Sequence, residues 1–306
     1  MRRTAASFGF ERKRLSRTRN YYQVIERRRW EDIRSWWPAY IPAFGNVGEP
    51  PEPTLSALFA LSDSGFDTPR TRMVMPGARE AAMTEAIFLF QKSMHIARAV
   101  ETSAQSGMLS WAAFQGYHSA YYAAKGFLSL LGTCFPQPAG RQLLVDLFPA
   151  QQAKSKLGVE DSEILVANCA QLEQRLLWGF FGRLLRVTEF SVNFNKHTVF
   201  LTNLDHEHIS RRRNRFIYHE DHWPYEDLVT LRLVADFAFR GSVEAELTNI
   251  DEDNPLFLAV LGMVVPSLLR LMFDELKEEV PALSPHITYM DAASWHAGTK
   301  MVRSYF

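Results

Sequence analysis

Apolar residues recur at three- and four-residue intervals along most of the chain, which is the spacing of helices that bury one face. Residues 77–104 are rich in Ala, Met, Glu and Leu, and no Gly or Pro interrupts them after the first residue. In residues 109–132, Phe114, Tyr117 and Tyr121 fall on one stripe of a helix. The pattern therefore predicts two long packed helices.

Three further segments carry the same period. Residues 161–187 predict a third long helix, because Asp161 or Ser162 can cap it and acidic residues occupy its first turn. Residues 225–247 and 254–280 complete the set. We therefore predict a mainly α (all-α) fold, built as a bundle of long helices with short connections.

One segment departs from this period. In residues 189–202, Phe190, Val192 and Phe194 alternate with polar residues, which favours either a short β-hairpin or an extended loop. The pattern leaves both alternatives open. Helical spacing resumes near Asp205 and is expected to stop before Pro224.

The N-terminal part of the chain differs in charge. Residues 1–40 hold 11 Arg and Lys against 4 Asp and Glu, whereas the whole chain has 34 of each sign. We therefore expect residues 1–77 to form a basic arm and linker, and residues 78–306 to form the helical domain. Arg27, Arg28, Arg29 and Trp30 are candidates for binding nucleic acid, with arginines on phosphates and the indole on a base. The alternative is an aromatic face that docks on the protein body and leaves the arginines outward.

The cysteine content and the most apolar window bear on three classes of protein: disulfide-stabilised, zinc-binding and membrane-spanning. Two cysteines, Cys134 and Cys169, are too few for a disulfide framework or a zinc site, and they fit free thiols in a reducing cytosol. The most apolar window, residues 256–269, is short for a bilayer and contains Pro266. It predicts a buried helix or a helix–helix interface. We expect a cytoplasmic protein that does not cross a membrane.

The segment "RRRNRFIYHEDHW" (residues 211–223) carries the candidate chemistry. An imidazole such as His219 titrates near neutral pH and can move a proton during phosphodiester cleavage. The guanidinium of Arg213 can bind two phosphate oxygens, and the amide of Asn214 can orient either partner. With RNA the 2′-hydroxyl is the nucleophile, so these groups suffice without a metal or another cofactor.

The spacing of these residues sets a geometric condition. On a straight helix, residues six apart lie roughly 120° apart in rotation and about 9 Å apart along the axis. Arg213 and His219 therefore converge on one phosphate only if the helix ends between them or a second copy contributes. We expect a homodimer in which the two Arg213–His219 segments face each other across a two-fold axis.

"RNRFIYH", from Arg213 to His219, resembles the signature of the HEPN superfamily: an Arg, a polar residue, a short spacer and a His on a late helix of a small α-bundle. "GYHSAYYAAKGFLSLLG" (residues 116–132) looks like the Ala- and Tyr-rich earlier helix of that family. The resemblance covers roughly residues 78–280. It implies a metal-independent endoribonuclease with RNA as substrate, often a toxin or antiphage effector with a neutralising or regulatory protein partner. Asp221 stands where members silenced by a nucleotidyltransferase carry Tyr, so that modification is not expected here.

Weaker candidates surround this motif. They are Arg212, Arg215, His222 and His118. His206 and His208 invite a metal interpretation, but helical residues two apart point to different faces and no third ligand is apparent. The alternative function is a non-catalytic HEPN-like interaction or nucleic-acid-binding protein, whose basic arm and apolar 256–273 helix recruit a partner.

Overall fold

The fold consists of long helices with a small antiparallel sheet at one side. A computed structural model describes residues 28–40, 53–62, 70–149, 163–169, 174–218 and 256–293. Of the described residues, 75% are helical, so the predicted mainly α fold is confirmed. The longer helices are α3 (Ala78–Gln105), α4 (Leu109–Leu130), α5 (Gln174–Val187) and α8 (Leu256–Glu279). The shorter ones are α1 (Trp30–Trp36), α2 (Leu55–Leu61), α6 (Asn195–Thr202), α7 (His206–Tyr218) and α9 (Ser284–Ala293).

Helices α3, α4 and α8 form the centre of the fold, and the contacts of α4 with the other two are the most extensive between helices. The predicted segments 77–104, 109–132 and 254–280 are confirmed as these three helices, because their apolar stripes bury one another. The predicted helix at 225–247 lies outside the described residues.

The predicted helix at 161–187 is wrong in its first half. Residues Glu163–Asn168 form strand β5, which lies between β2 (Arg70–Val74) and β4 (Leu143–Asp146), with β3 (Thr133–Cys134) at the far edge. All neighbours in this sheet are antiparallel. The β-branched Ile164 and Val166 are buried in the sheet, whereas helix α5 begins only at Gln174.

The segment at 189–202 is neither a hairpin nor an extended loop. Residues Thr188–Glu189 form a short strand, β6, parallel to β1 (Arg28–Arg29). A 3-10 turn then leads into α6. Phe194 and Leu201 are buried seven residues apart, a spacing that suits two turns of helix.

Helices α4 and α8 cross at unusually close range. A Cβ on Gly116 would collide with the carbonyl of Leu258, and one on Gly262 would collide with Gly116 itself. Beside this crossing, the Ser119 hydroxyl lies 2.7 Å from the Gly262 carbonyl. Pro266, inside α8, has no N–H to donate to that carbonyl four residues earlier, so Ser119 replaces the missing helical donor.

The expected N-terminal arm belongs in part to the core. Arg28 is buried and its guanidinium forms an ion pair with Asp146 at 2.8 Å, in addition to a bond from Nη1 to the Leu131 carbonyl. Trp30 is fully buried, and its Nε1 donates to Glu275 at 2.9 Å. The prediction that Arg28 and Trp30 contact nucleic acid is therefore wrong, because their polar groups already bind the protein.

The remaining residues of this segment divide between core and surface. Trp37 is fully buried, and its Nε1 donates to the Leu130 carbonyl at 3.0 Å. Arg29 is exposed and forms ion pairs with Glu31 and Glu189. Arg27 lies outside the described residues. An aromatic face docked on the body is the alternative that these contacts favour, although Arg28 points inward.

No break in packing marks residue 77, the expected domain boundary. Buried side chains before it share one hydrophobic core with the helices after it, among them Trp30, Phe59 and Met75. Strand β2 also precedes residue 77 and pairs with β5. In the described residues, the N-terminal segments are thus part of the helical body.

Helix α8 is the central core helix. By length and composition, Phe257–Glu279 could cross a membrane, but 83% of its apolar window is buried inside the structure. Of the two alternatives for this apolar segment, a buried helix is therefore the correct one. Its apolar face contacts the chain itself and is not free to recruit a partner.

Candidate nucleic-acid cleavage site

Helix α7 carries the first part of the motif, and its start is fixed by His206. The buried His206 ring packs directly on Gly182 of α5 and fills the space that a side chain at position 182 would occupy. Burial, and secondarily the charge of Arg186, lowers the pKa of His206 to about 4. Helix α7 also packs on α4, which brings the motif beside the aromatic face of that helix.

Arg213 points from α7 onto α4. The carbon at the centre of its guanidinium lies 5.0 Å from the centroid of the Tyr117 ring, a cation–π contact. Its Nε and Nη2 both donate to the amide oxygen of Asn214, at 3.0 and 2.6 Å. The Asn214 amide oxygen therefore lies against the Arg213 guanidinium.

The Tyr117 ring that supports Arg213 is itself fixed. Its hydroxyl donates to Gln174 at 2.7 Å, and Trp178 lies 3.4 Å from that hydroxyl through its Nε1. Tyr117 is fully buried. Helix α5 thus holds the ring, and the ring holds the guanidinium, so that the position of Arg213 is set by three helices.

His118 follows Tyr117 on α4, and the charge of Arg213 acts on its imidazole. Its ring makes edge contacts with Phe114 at 4.5 Å and with Tyr117 at 5.6 Å between centroids. Partial burial lowers the pKa of His118, and the positive charges of Arg213 and Lys92 lower it further. The lowered pKa favours the neutral form of the imidazole, which can accept a proton.

The other arginines of the motif point elsewhere. Arg212 lies over the Phe257 ring of α8, at 5.4 Å to the centroid. Arg215 is exposed two residues beyond Arg213, on another face of α7. His219 and His222 lie outside the described residues.

His206 and His208 point to different faces, as the helical spacing predicts. His208 pairs with Asp205 and lies 3.0 Å from a guanidinium nitrogen of Arg211, whereas His206 faces the core. Across the described ranges, no three His, Cys, Asp or Glu side chains come together in the way a metal ion requires.

Sequence reasoning missed a second set of polar groups beside His118. The ammonium of Lys92 lies 4.1 Å from the centroid of the Tyr122 ring. Burial lowers the pKa of Lys125 and raises the pKa of its neighbour Glu85. The sequence shows Lys125 two turns after His118, but it does not show that Glu85 of α3 lies near this lysine.

The charge of the packed helices α4, α5 and α7 is strongly one-sided. Together they carry eight basic residues and one acidic residue, Glu207, in a chain whose charges cancel overall. Arg175, Arg183 and Arg186 of α5 are exposed. These helices therefore attract anions, which the total charge alone does not indicate.

Comparisons with protein-family models, with curated proteins and with solved structures found no match to this chain.

Proposed function

We propose that this chain is a metal-independent endoribonuclease of HEPN type that acts in the cytoplasm as a toxin or antiphage effector. The observation that carries the proposal is that Arg213, bonded to Asn214, lies on the ring of Tyr117, and that the next residue on α4, His118, has a pKa lowered in part by the charge of Arg213. The motif resemblance supplies the third group, His219. None of these groups needs a cofactor.

The proposed reaction is an internal transfer. A neutral imidazole removes the proton of the 2′-hydroxyl, and that oxygen attacks the adjacent phosphorus. The guanidinium of Arg213 stabilises the extra negative charge of the five-coordinate transition state. The bond from phosphorus to the 5′-oxygen breaks, and that oxygen takes up a proton. The products are a 2′,3′-cyclic phosphate and a 5′-hydroxyl.

Two imidazoles are candidates for the proton transfers. The motif assigns this role to His219, whereas His118 is supported by its contact with Tyr117, the ring on which Arg213 lies, and by its lowered pKa. Base and acid are separate tasks in this reaction, so the two side chains can divide them.

The test is cleavage of single-stranded RNA by the purified protein in the presence of EDTA. We expect Arg213→Ala to reduce the rate by about 100-fold or more, because it removes the stabilising charge. His118→Ala and His219→Ala are each expected to reduce it by a similar factor. Arg141→Ala and His208→Ala are the matched controls, since Arg141 is exposed before β4 and His208 pairs with Asp205 on another face of α7.

The results separate the alternatives. Cleavage that EDTA abolishes, or that survives Arg213→Ala together with both histidine variants, would refute the proposed mechanism. RNA binding that weakens with salt but yields no products would instead favour the non-catalytic alternative, which the basic helices also support. In that case growth arrest on overexpression would not depend on Arg213.

We also propose that the active form is a homodimer with a composite site. The sequence spacing of Arg213 and His219 supports this, because residues six apart on a straight helix would not point to the same phosphate. Helix α8 is buried within its own chain, so the dimer contact must come from another surface. Light scattering should give twice the chain mass of 35.1 kDa. An active monomer whose rate is first-order in enzyme would exclude the composite site.

A further inference from the structure

One edge of α4 carries a row of rings that leads to Arg213. Trp111 is 59% exposed, although large apolar side chains are normally covered. Its ring meets Phe114 edge-on at 5.8 Å, and Phe114 meets His118 at 4.5 Å. We name Trp111, Phe114 and His118 the aromatic track. It spans two helical turns, about 10 Å along the helix axis.

Within the described part of the chain, the outer end of the track does not belong to the hydrophobic core. Trp111 lies at the third position of α4 and is not part of the hydrophobic core, whereas Ala112 and Ala113 beside it are buried. The indole is therefore accessible to a ligand, and it stands in line with a candidate catalytic histidine.

The charges around the track indicate what it binds. Helix α4 contains no acidic residue, and two of the helices packed on it, α5 and α7, contribute seven arginines against one glutamate. Aromatic rings beside a basic groove are the combination that binds single-stranded nucleic acid, because bases stack on the rings while cations hold the phosphates. A protein partner with an apolar face would not require this charge.

We infer that the aromatic track stacks the unpaired bases of a single-stranded RNA whose backbone lies on the basic helices, so that Arg213 receives a strand and not a duplex. This inference rests on the proposed function for the role of RNA as substrate, and it adds the surface that binds the unpaired bases. In a duplex the bases are paired and stacked on one another, so that their faces are closed to Trp111.

Binding is measured separately from cleavage. The probe is a fluorescein-labelled 2′-O-methyl oligoribonucleotide, which has no free 2′-hydroxyl and cannot undergo the proposed reaction. Fluorescence anisotropy gives its Kd for the full chain. Trp111→Leu keeps an apolar side chain but removes the flat ring, and it should weaken binding about fivefold or more. Trp111→Phe keeps a ring and should stay within about twofold of the parent.

Two controls make the result specific. Leu61→Ala removes an exposed apolar side chain, 82% exposed on α2, and should leave Kd unchanged. The same oligonucleotide annealed to its complement should bind with a Kd that Trp111→Leu does not alter. The salt dependence of strand binding should be equal in the parent and in Trp111→Leu, because no phosphate contact is lost.

The outcomes distinguish this inference from the proposed function. Unchanged strand binding by Trp111→Leu, or an equal loss on strand and duplex, would overturn the aromatic track even if the protein cleaves RNA. Binding that depends on Trp111 without any cleavage of the unmodified RNA would support the track and overturn the nuclease.

Discussion

Ser119→Ala tests how the chain tolerates a proline inside its most buried helix. In the folded protein the Ser119 hydroxyl lies 2.7 Å from the Gly262 carbonyl and 2.8 Å from the Ser93 carbonyl, and it is fully buried. Because Pro266 has no N–H, removing the hydroxyl leaves the Gly262 carbonyl unsatisfied in the core. An unsatisfied buried acceptor costs about 1–3 kcal/mol.

The assay is urea unfolding followed by circular dichroism, in a double-mutant cycle with Pro266→Ala. Alanine at 266 can donate its N–H to the Gly262 carbonyl, so Ser119→Ala should cost little in that background. We expect a coupling free energy of at least about 1 kcal/mol between the two positions. Ser93→Ala is the matched control, since this buried serine donates to the Phe90 carbonyl of its own helix. Equal destabilisation by Ser119→Ala in both backgrounds would refute this reasoning.

Two other predictions concern buried side chains that can carry a charge. His206 is neutral in the folded state with a pKa of about 4, whereas an unfolded histidine titrates near 6.5, so its contribution is complete above pH 6.5 and is lost as the pH falls to 4. His206→Phe keeps a ring on Gly182 but cannot take up a proton. Between pH 6.5 and pH 4, the parent should therefore lose about 3 kcal/mol more of its free energy of unfolding than this variant does. Parallel plots of unfolding free energy against pH for the two proteins would contradict the lowered pKa of His206. Arg28→Met should destabilise the protein by about 3–5 kcal/mol, because Asp146 remains buried without its partner, and adding Asp146→Asn should restore much of the loss in thermal unfolding. A small effect of Arg28→Met alone would mean that the ion pair does not hold this segment in place.

The long helices could be predicted from the sequence because their signal is local. The stripes of α3, α4 and α8 repeat over six or more turns, and each helix buries the face that its own residues define. Strand β5 was missed because its apolar residues stand among helix-forming neighbours. Its pairing partner β2 lies far earlier in the chain, and no local pattern reports that pairing.

In the candidate site, too, the sequence indicates local features but not the contacts between distant parts of the chain. The spacing in "RNRFIYH" identified Arg213 and Asn214, but their orientation depends on Tyr117 of another helix. In the run from Arg27 to Arg29, the sequence could not tell a core arginine from a surface one. Asp146, which pairs with Arg28, decides that difference, and it is distant in the chain.

The contacts of the first described segment also fix an order of assembly during synthesis. Trp37 binds the carbonyl of a residue 93 positions later, whereas Trp30 binds Glu275, 245 positions later. At about 5–20 residues per second, a ribosome needs about 10–50 s to translate the chain from Trp30 to Glu275. The nascent chain therefore lacks the Glu275 acceptor of Trp30 while α3 to α7 are made. Complete docking of this segment is possible only after α8 has left the ribosome, so the folded protein appears late in translation.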